Sequence, residues 1–153
     1  MSDDPFDDLR RVLNSKAVAA ANAIGLGAKI KLPNESYTPP KATSHCEFFF
    51  KTGGSKQAEL GGGKAFEITV GIYEFNILVP ENTADGPATQ LAGQVRRMFN
   101  RKEWLVGAEG YVKLMVANVK TPFNGPINGY YRVCVDGVLH FYHRDPNPLP
   151  FNA

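Results

Sequence analysis

The stretch AFEITVGIYEFNILVPENTADGPATQLAGQVRRMF, residues 65–99, decides the fold. It reads as one long strand, a turn containing Pro and Gly, and one amphipathic helix. Phe66, Ile68, Val70 and Ile72 alternate with polar or small residues, the two-residue period of a half-buried strand. From Tyr73 the apolar positions become Tyr73, Phe75, Ile77 and Val79. A strand changes phase in this way only at a bulge or bend. Gly71, just before the change, tolerates such geometry. The expectation is a kinked strand that serves two surfaces and ends at Pro80. Asp85 or Gly86 caps the helix that follows, with Pro87 at its first position. Ala88, Leu91, Ala92, Val95, Met98 and Phe99 fall on one face, which packs on the sheet. The other face carries Gln94, Arg96 and Arg97, with Arg101 and Lys102 past the helix end.

Outward from this unit, the chain has 153 residues, 43% hydrophobic and 21% charged, the composition of an ordinary globular domain. The expected organisation is one domain over residues 1–144 and a Pro-rich tail over 145–153. The net charge of +2 is too small to imply nucleic acid by itself. Asp3, Asp4, Asp7 and Asp8 hold four of the 15 acidic residues, so the chain from residue 9 onward carries 17 basic against 11 acidic groups, a net of +6. The acidic run fits a helix start, where it complements the macrodipole. Cys46 and Cys134 are expected as free thiols, Cys46 buried. No apolar run approaches the roughly 18 residues of a membrane span. The N-terminus lacks the positive region of a signal peptide.

Asp4 before Pro5 starts a first helix. Phe6, Leu9, Leu13, Ala17, Ala20 and Ile24 give it an apolar face over about five turns, and Gly25 and Gly27 stop it. Residues 29–32 form a short strand, and residues 33–40 are extended and irregular because of their prolines. In residues 44–51, Cys46, Phe48 and Phe50 face one way. His45, Glu47, Phe49 and Lys51 face the other, with Phe49 the apolar exception. Residues 52–64, TGGSKQAELGGGK, read as a flexible Gly-rich loop. A phosphate-binding reading fails, because no Gly-Lys-Ser/Thr stands at the required spacing between a strand and a helix. Residues 104–106 add a short strand. Residues 111–119 add another, with Val112, Leu114 and Val116 on one face. Residues 130–144 are either a hairpin turning at Asp136-Gly137 or one long strand bulged there. The fold class is α+β: a mixed, mostly antiparallel twisted sheet with an N-terminal helix and a central helix packed on it.

Catalytic patterns are weak. His45, His140, His143, Cys46 and Cys134 lack the spacings of zinc fingers or ribbons, and the adjacent His45 and Cys46 point to opposite faces of a strand. Glu67 and Glu74 cannot be placed on one cleft, as paired-carboxylate chemistry requires. Arg96, Arg97, Arg101 and Lys102 form the densest basic cluster. It is either a solvated helix face or a surface for an acidic partner or DNA backbone. No catalytic, cofactor-binding or metal-ligating residue is expected.

The order of elements, with Pro33-Asn34, Tyr37 and Pro39-Pro40, the run GIYEFNILVP from Gly71 to Pro80, and a turn leading to a helix ending in Phe99, resembles the tail terminator proteins of long-tailed bacteriophages. The resemblance spans roughly residues 5–144 and rests on architectural motifs. It implies a non-enzymatic virion protein without cofactors. Such a protein, made in the host bacterial cytoplasm, forms a homohexameric ring at the neck end of the tail. It stops growth of the tail tube and presents a surface to head-completion or neck proteins, and DNA passes the lumen unread. The expected interface residues are Gly53, Gly54, Lys56, Gly61, Gly62 and Lys64 in the Gly-rich loop, Arg96, Arg97 and Arg101 beyond it, and Phe49. Alternatives are a head-completion or neck protein, a small metal- or ligand-binding enzyme domain, and a nucleic-acid-binding accessory protein.

Overall fold

The computed structural model describes residues 4–58, 65–81, 85–121 and 128–145. Helix α1, Pro5–Ala23, starts where the sequence places it: Asp4 is the N-cap and its carboxylate accepts from the Phe6 N–H at 2.9 Å. Leu9, Leu13, Ala17, Ala20 and Ala21 form its buried face. Gly25, at φ +79°, takes the left-handed conformation that ends the helix. Helix α2, Asp85–Phe99, buries Ala88, Ala92, Val95 and Phe99. At its end Arg101 adopts φ 56°, a conformation more often given to glycine, and its N–H donates to the Met115 carbonyl at 3.1 Å.

Among the described residues seven strands form one sheet: β1 (Ile30–Lys31), β2 (His45–Gln57), β3 (Glu67–Pro80), β4 (Glu103–Val106), β5 (Gly110–Leu114), β6 (Asn118–Lys120) and β7 (Tyr130–His143). Their order is β1-β2-β3-β7-β5-β4, with β6 also paired to β7. Among the described strands only β1 and β2 run parallel. The chain is an α+β fold with a mixed, mostly antiparallel sheet. Both helices pack on one face, against Phe48, Tyr73, Phe75, Ile77, Val135, Leu139 and Phe141. Phe99 of α2 stacks on Tyr73, with ring centroids 5.3 Å apart, and meets Trp104 edge-on at 5.8 Å.

The kink expected in β3 is absent. β3 pairs with β7 from Glu67↔His143 to Pro80↔Tyr130 without a register shift. Thr69, Gly71, Tyr73, Phe75, Ile77 and Val79 all face the core in one phase. Ile68, Val70 and Ile72 keep the opposite phase and stay on the outer face. The phase change occurs in the neighbouring strand. Between Thr52↔Gly71 and Ser55↔Thr69, β2 carries one residue more than β3, a bulge at Gly53-Gly54. Before it Phe49 and Lys51 point outward; after it Lys56, opposite Ile68, does. Gly71 serves close approach instead of bending: a Cβ there would lie 2.5 Å from the Lys51 carbonyl oxygen.

Three further expectations are corrected. The Gly-rich loop is shorter than residues 52–64, because Thr52 to Gln57 belong to β2. Asp136-Gly137 is neither a turn nor a bulge, but lies inside the continuous β7. Residues 111–119 are not one strand. β5 and β6 are separated at residues 115–117, and Val116 is exposed instead of sharing the face of Val112 and Leu114. Of the tail 145–153, all but Asp145 lies outside the described residues.

Candidate functional site

Among the described residues the helices lie on one face of the sheet, and the other face carries a connected apolar surface. Cross-strand register aligns its rows. Leu105 of β4 stands beside Tyr111 of β5, which stands beside Tyr142 of β7 and then Ile68 of β3. The next rows hold Lys113, His140 and Val70, then Val138, Ile72 and Lys51. Phe49 follows, opposite Glu74. Tyr111 and Tyr142 stack with centroids 4.6 Å apart. Ile72 is 54% exposed and Leu105 83%; Phe49, Val70, Tyr111 and Val138 are also exposed. A contiguous apolar surface across five strands is a mark of an interaction face, whereas scattered single residues are not. At its edge, Glu103, Trp104, Leu105 and Tyr111 line a shallow open depression of about 390 Å³.

The expected interface residues divide among three places. Phe49 lies on the outer face, and Lys56 joins it beside Ile68. Gly53 and Gly54 form the bulge at the edge of that face, where a Cβ on Gly53 would come 3.1 Å from the Val70 carbonyl oxygen. Gly61, Gly62 and Lys64 lie outside the described residues. The arginines belong to the helix layer, on the other side of the sheet. Arg96 is half-buried and its Nε–H donates to the Ala117 carbonyl at 2.9 Å, so it ties α2 to the segment between β5 and β6. The same segment is held by the Ala117 N–H donating to Asn100 Oδ1 at 2.9 Å. Arg97 and Arg101 are exposed.

The histidines and cysteines do not converge. His45 is buried beside the Tyr130 ring, 4.8 Å between centroids, with Nδ1 3.1 Å from the Thr43 carbonyl oxygen. His140 sits in the outer face. His143 lies under the start of α1, 4.8 Å from the Phe6 ring, with Nε2 2.8 Å from Thr69 Oγ1. Burial holds its pKa below the usual value, against the pull of Glu67 and Asp145. Cys46 faces the core, and burial pushes its thiol up to about 12. Cys134 faces outward, so the two thiols stand on opposite sides of the sheet.

The sequence reading missed a polar cluster on the outer face. Cys134 Sγ–H donates to Glu74 Oε1 at 3.0 Å. Asp136, opposite Glu74, pairs with Lys120 of β6 at 2.7 Å. Burial raises the Cys134 thiol pKa, and the Glu74 carboxylate adds to the rise. Only the β3–β7 register brings these side chains together, and no local pattern announces it.

No protein-family model and no curated protein matches the sequence. Ten solved chains are similar in structure. One of them, a protein whose own name states no activity, matches with a TM-score of 0.68 over 89% of this chain and 94% of its own, at 16% identity. That likeness establishes a shared fold.

Proposed function

We propose that this chain is a structural subunit of a bacteriophage tail, one that caps the head-proximal end of the tail tube as a homohexameric ring, stops tube growth and offers a surface for head joining. The observation that carries this reading is the outer sheet face. Phe49, Val70, Ile72, Val138, Tyr111 and Leu105 present apolar side chains over five strands, edged by Lys51, Lys56 and Lys113. Most of these side chains already bury about half of their surface in the monomer, so covering the remainder stabilises an assembly by about 1 kcal/mol each. A closed ring needs two different complementary surfaces per subunit. The sheet face supplies one candidate, and Arg97 and Arg101 on the helix layer supply the other. The motifs that carry the phage resemblance are architectural here too. The run from Gly71 to Pro80 lies within the central strand β3, and Tyr130 Oη donates to the carbonyl of Pro40 in the irregular segment at 3.5 Å. On this reading the partners are further copies of the chain, the tail tube protein and a head-completion or neck protein, and the protein resides at the neck end of the virion tail. Among the described residues no helix is long and apolar enough to cross a membrane.

Electron microscopy of lysates from the parent phage with this gene deleted tests the reading. Overlong tails without heads are the expected result. Tails of normal length beside unjoined heads would move the protein to the neck. Intact infectious particles would refute a structural role.

A further inference from the structure

Cys134 Sγ and carboxylate oxygens of Glu74 and Asp136 lie within 4.8 Å of one another on the outer face. The β3–β7 register fixes the group: Glu74 is opposite Asp136, and Asn76 is opposite Cys134. All four positions have the same parity, so the four side chains leave the sheet on one side. Asn76 provides a second, independent observation. It is 1% exposed, and its Oδ1 is buried with no hydrogen-bond partner. Native proteins rarely leave such an oxygen unmatched, and this one belongs to the side chain paired with Cys134, on the face that carries both carboxylates, where a cation would match it.

We propose that Glu74, Cys134 and Asp136 form a site for a borderline-soft divalent cation of the zinc class, with Asn76 Oδ1 beside it as the fourth donor. This assignment does not depend on the tail role. The donor set selects the metal. A thiolate disfavours magnesium and calcium, which take oxygen ligands, whereas zinc accepts sulfur and carboxylate together. Zinc bond lengths place tetrahedral donors about 3.4–3.6 Å apart. Around the ion the Cys134–Glu74 pair, 3.0 Å apart, therefore opens by about half an ångström, and separations of up to 4.8 Å close by about an ångström, on a sheet that need not move. Two contacts occupy the positions the cation takes: the thiol hydrogen bond to Glu74 and the Lys120–Asp136 pair. Loading releases the Cys134 proton to solvent and displaces the exposed Lys120 ammonium. The divalent ion then faces one thiolate and two carboxylates, and the displaced ammonium offsets the remaining negative charge.

Cobalt titration of the chelator-treated full chain, followed by absorption, tests the site. The expected result is one equivalent bound, a thiolate-to-cobalt charge-transfer band in the near ultraviolet, and loss of that band when zinc is added. Cys134→Ser removes the band, whereas Cys46→Ala keeps it. Asp136→Asn and Asn76→Ala weaken binding by about tenfold or more. Lys120→Ala alters an exposed side chain and leaves the fold intact; it tightens binding several-fold by removing the competitor for Asp136. Absence of the band in the wild-type protein, or its survival in Cys134→Ser, would overturn the proposal. Unchanged affinity in Lys120→Ala would overturn it equally where Cys134→Ser does not fold.

Discussion

Gly137→Ala isolates the contact that the continuous β7 strand depends on. Gly137 is paired directly with Tyr73, and both face the core. A Cβ added at residue 137 would lie 2.7 Å from Tyr73 Oη, 2.9 Å from Cε1 and 3.0 Å from Cζ. The Tyr73 ring cannot swing aside easily, because it is 1% exposed and stacked on Phe99. Overpacking of this kind costs about 1–3 kcal/mol. Replacing glycine returns about 0.4–1 kcal/mol by restricting the unfolded chain. The net expectation is a loss of about 1–2 kcal/mol, or about 2–8 °C in Tm for a chain of this size. Tyr73→Phe removes the closest clash and also a hydroxyl that is buried without a partner. Alone it is neutral or stabilising by up to about 1 kcal/mol. Combined with Gly137→Ala it recovers at least about 0.5 kcal/mol of the loss, a coupling that denaturant unfolding of the four proteins measures. An Asp-Gly turn would give another pattern, with a backbone-strain penalty at Gly137 indifferent to residue 73. Additive effects, or a neutral Gly137→Ala, would refute the packing argument.

Three other expectations are open to measurement. His143 is buried with a lowered pKa, so below about pH 6.5 the unfolded chain binds a proton the folded chain resists. Stability is flat above that pH and declines as pH falls toward the lowered folded value; denaturant midpoints that decline equally in His143→Gln would remove the histidine from the cause. Ile72→Ser and Phe49→Ser change monomer stability by no more than about 0.5 kcal/mol and weaken ring assembly roughly tenfold each, about 1.4 kcal/mol; sedimentation with tube protein present would expose the idea if assembly were unaffected. Arg96→Ala costs about 1 kcal/mol through its bond to Ala117, whereas Arg97→Ala stays within about 0.5 kcal/mol, and equal Tm values for the two variants would count against the distinction.

The helices were legible in the sequence because their signals are local. Asp4-Pro5 and the spacing of Leu9, Leu13 and Ala17 contain all that is needed to place α1, and the same holds for Ala88, Ala92 and Val95 in α2. The strands were legible as strands, but their facing was not. In β3 both parities are apolar near Ile72 and Tyr73, and only the partner strand decides which is buried. Gly53-Gly54 read as loop residues because a bulge and a loop draw on the same amino acid. Gly137 reads as a turn or a bulge because its reason, the Tyr73 ring, lies far away in the chain. Val116 was assigned to a strand that Arg96 and Asn100 interrupt by binding Ala117. The outer apolar face and the cluster of Glu74, Cys134 and Asp136 exist only once β7 has been laid beside β3.

That same pairing sets when the molecule can fold. β3 sits at the centre of the sheet, yet its longest partner is the last of the described strands, from residue 130 to residue 143. On a translating ribosome, β3 emerges and waits with β2 alone at its side. Until residue 143 clears the exit tunnel, Tyr73, Phe75 and Ile77 lack their β7 neighbours. Closing so long a loop is slow compared with forming helices. The nascent chain therefore carries an apolar half-sheet from the emergence of β3 until β7 follows it, a stage at which aggregation competes and chaperones act. A stop codon between β3 and β7 would release this half-sheet with its central strand open, and the product would be an aggregation substrate instead of a smaller folded protein.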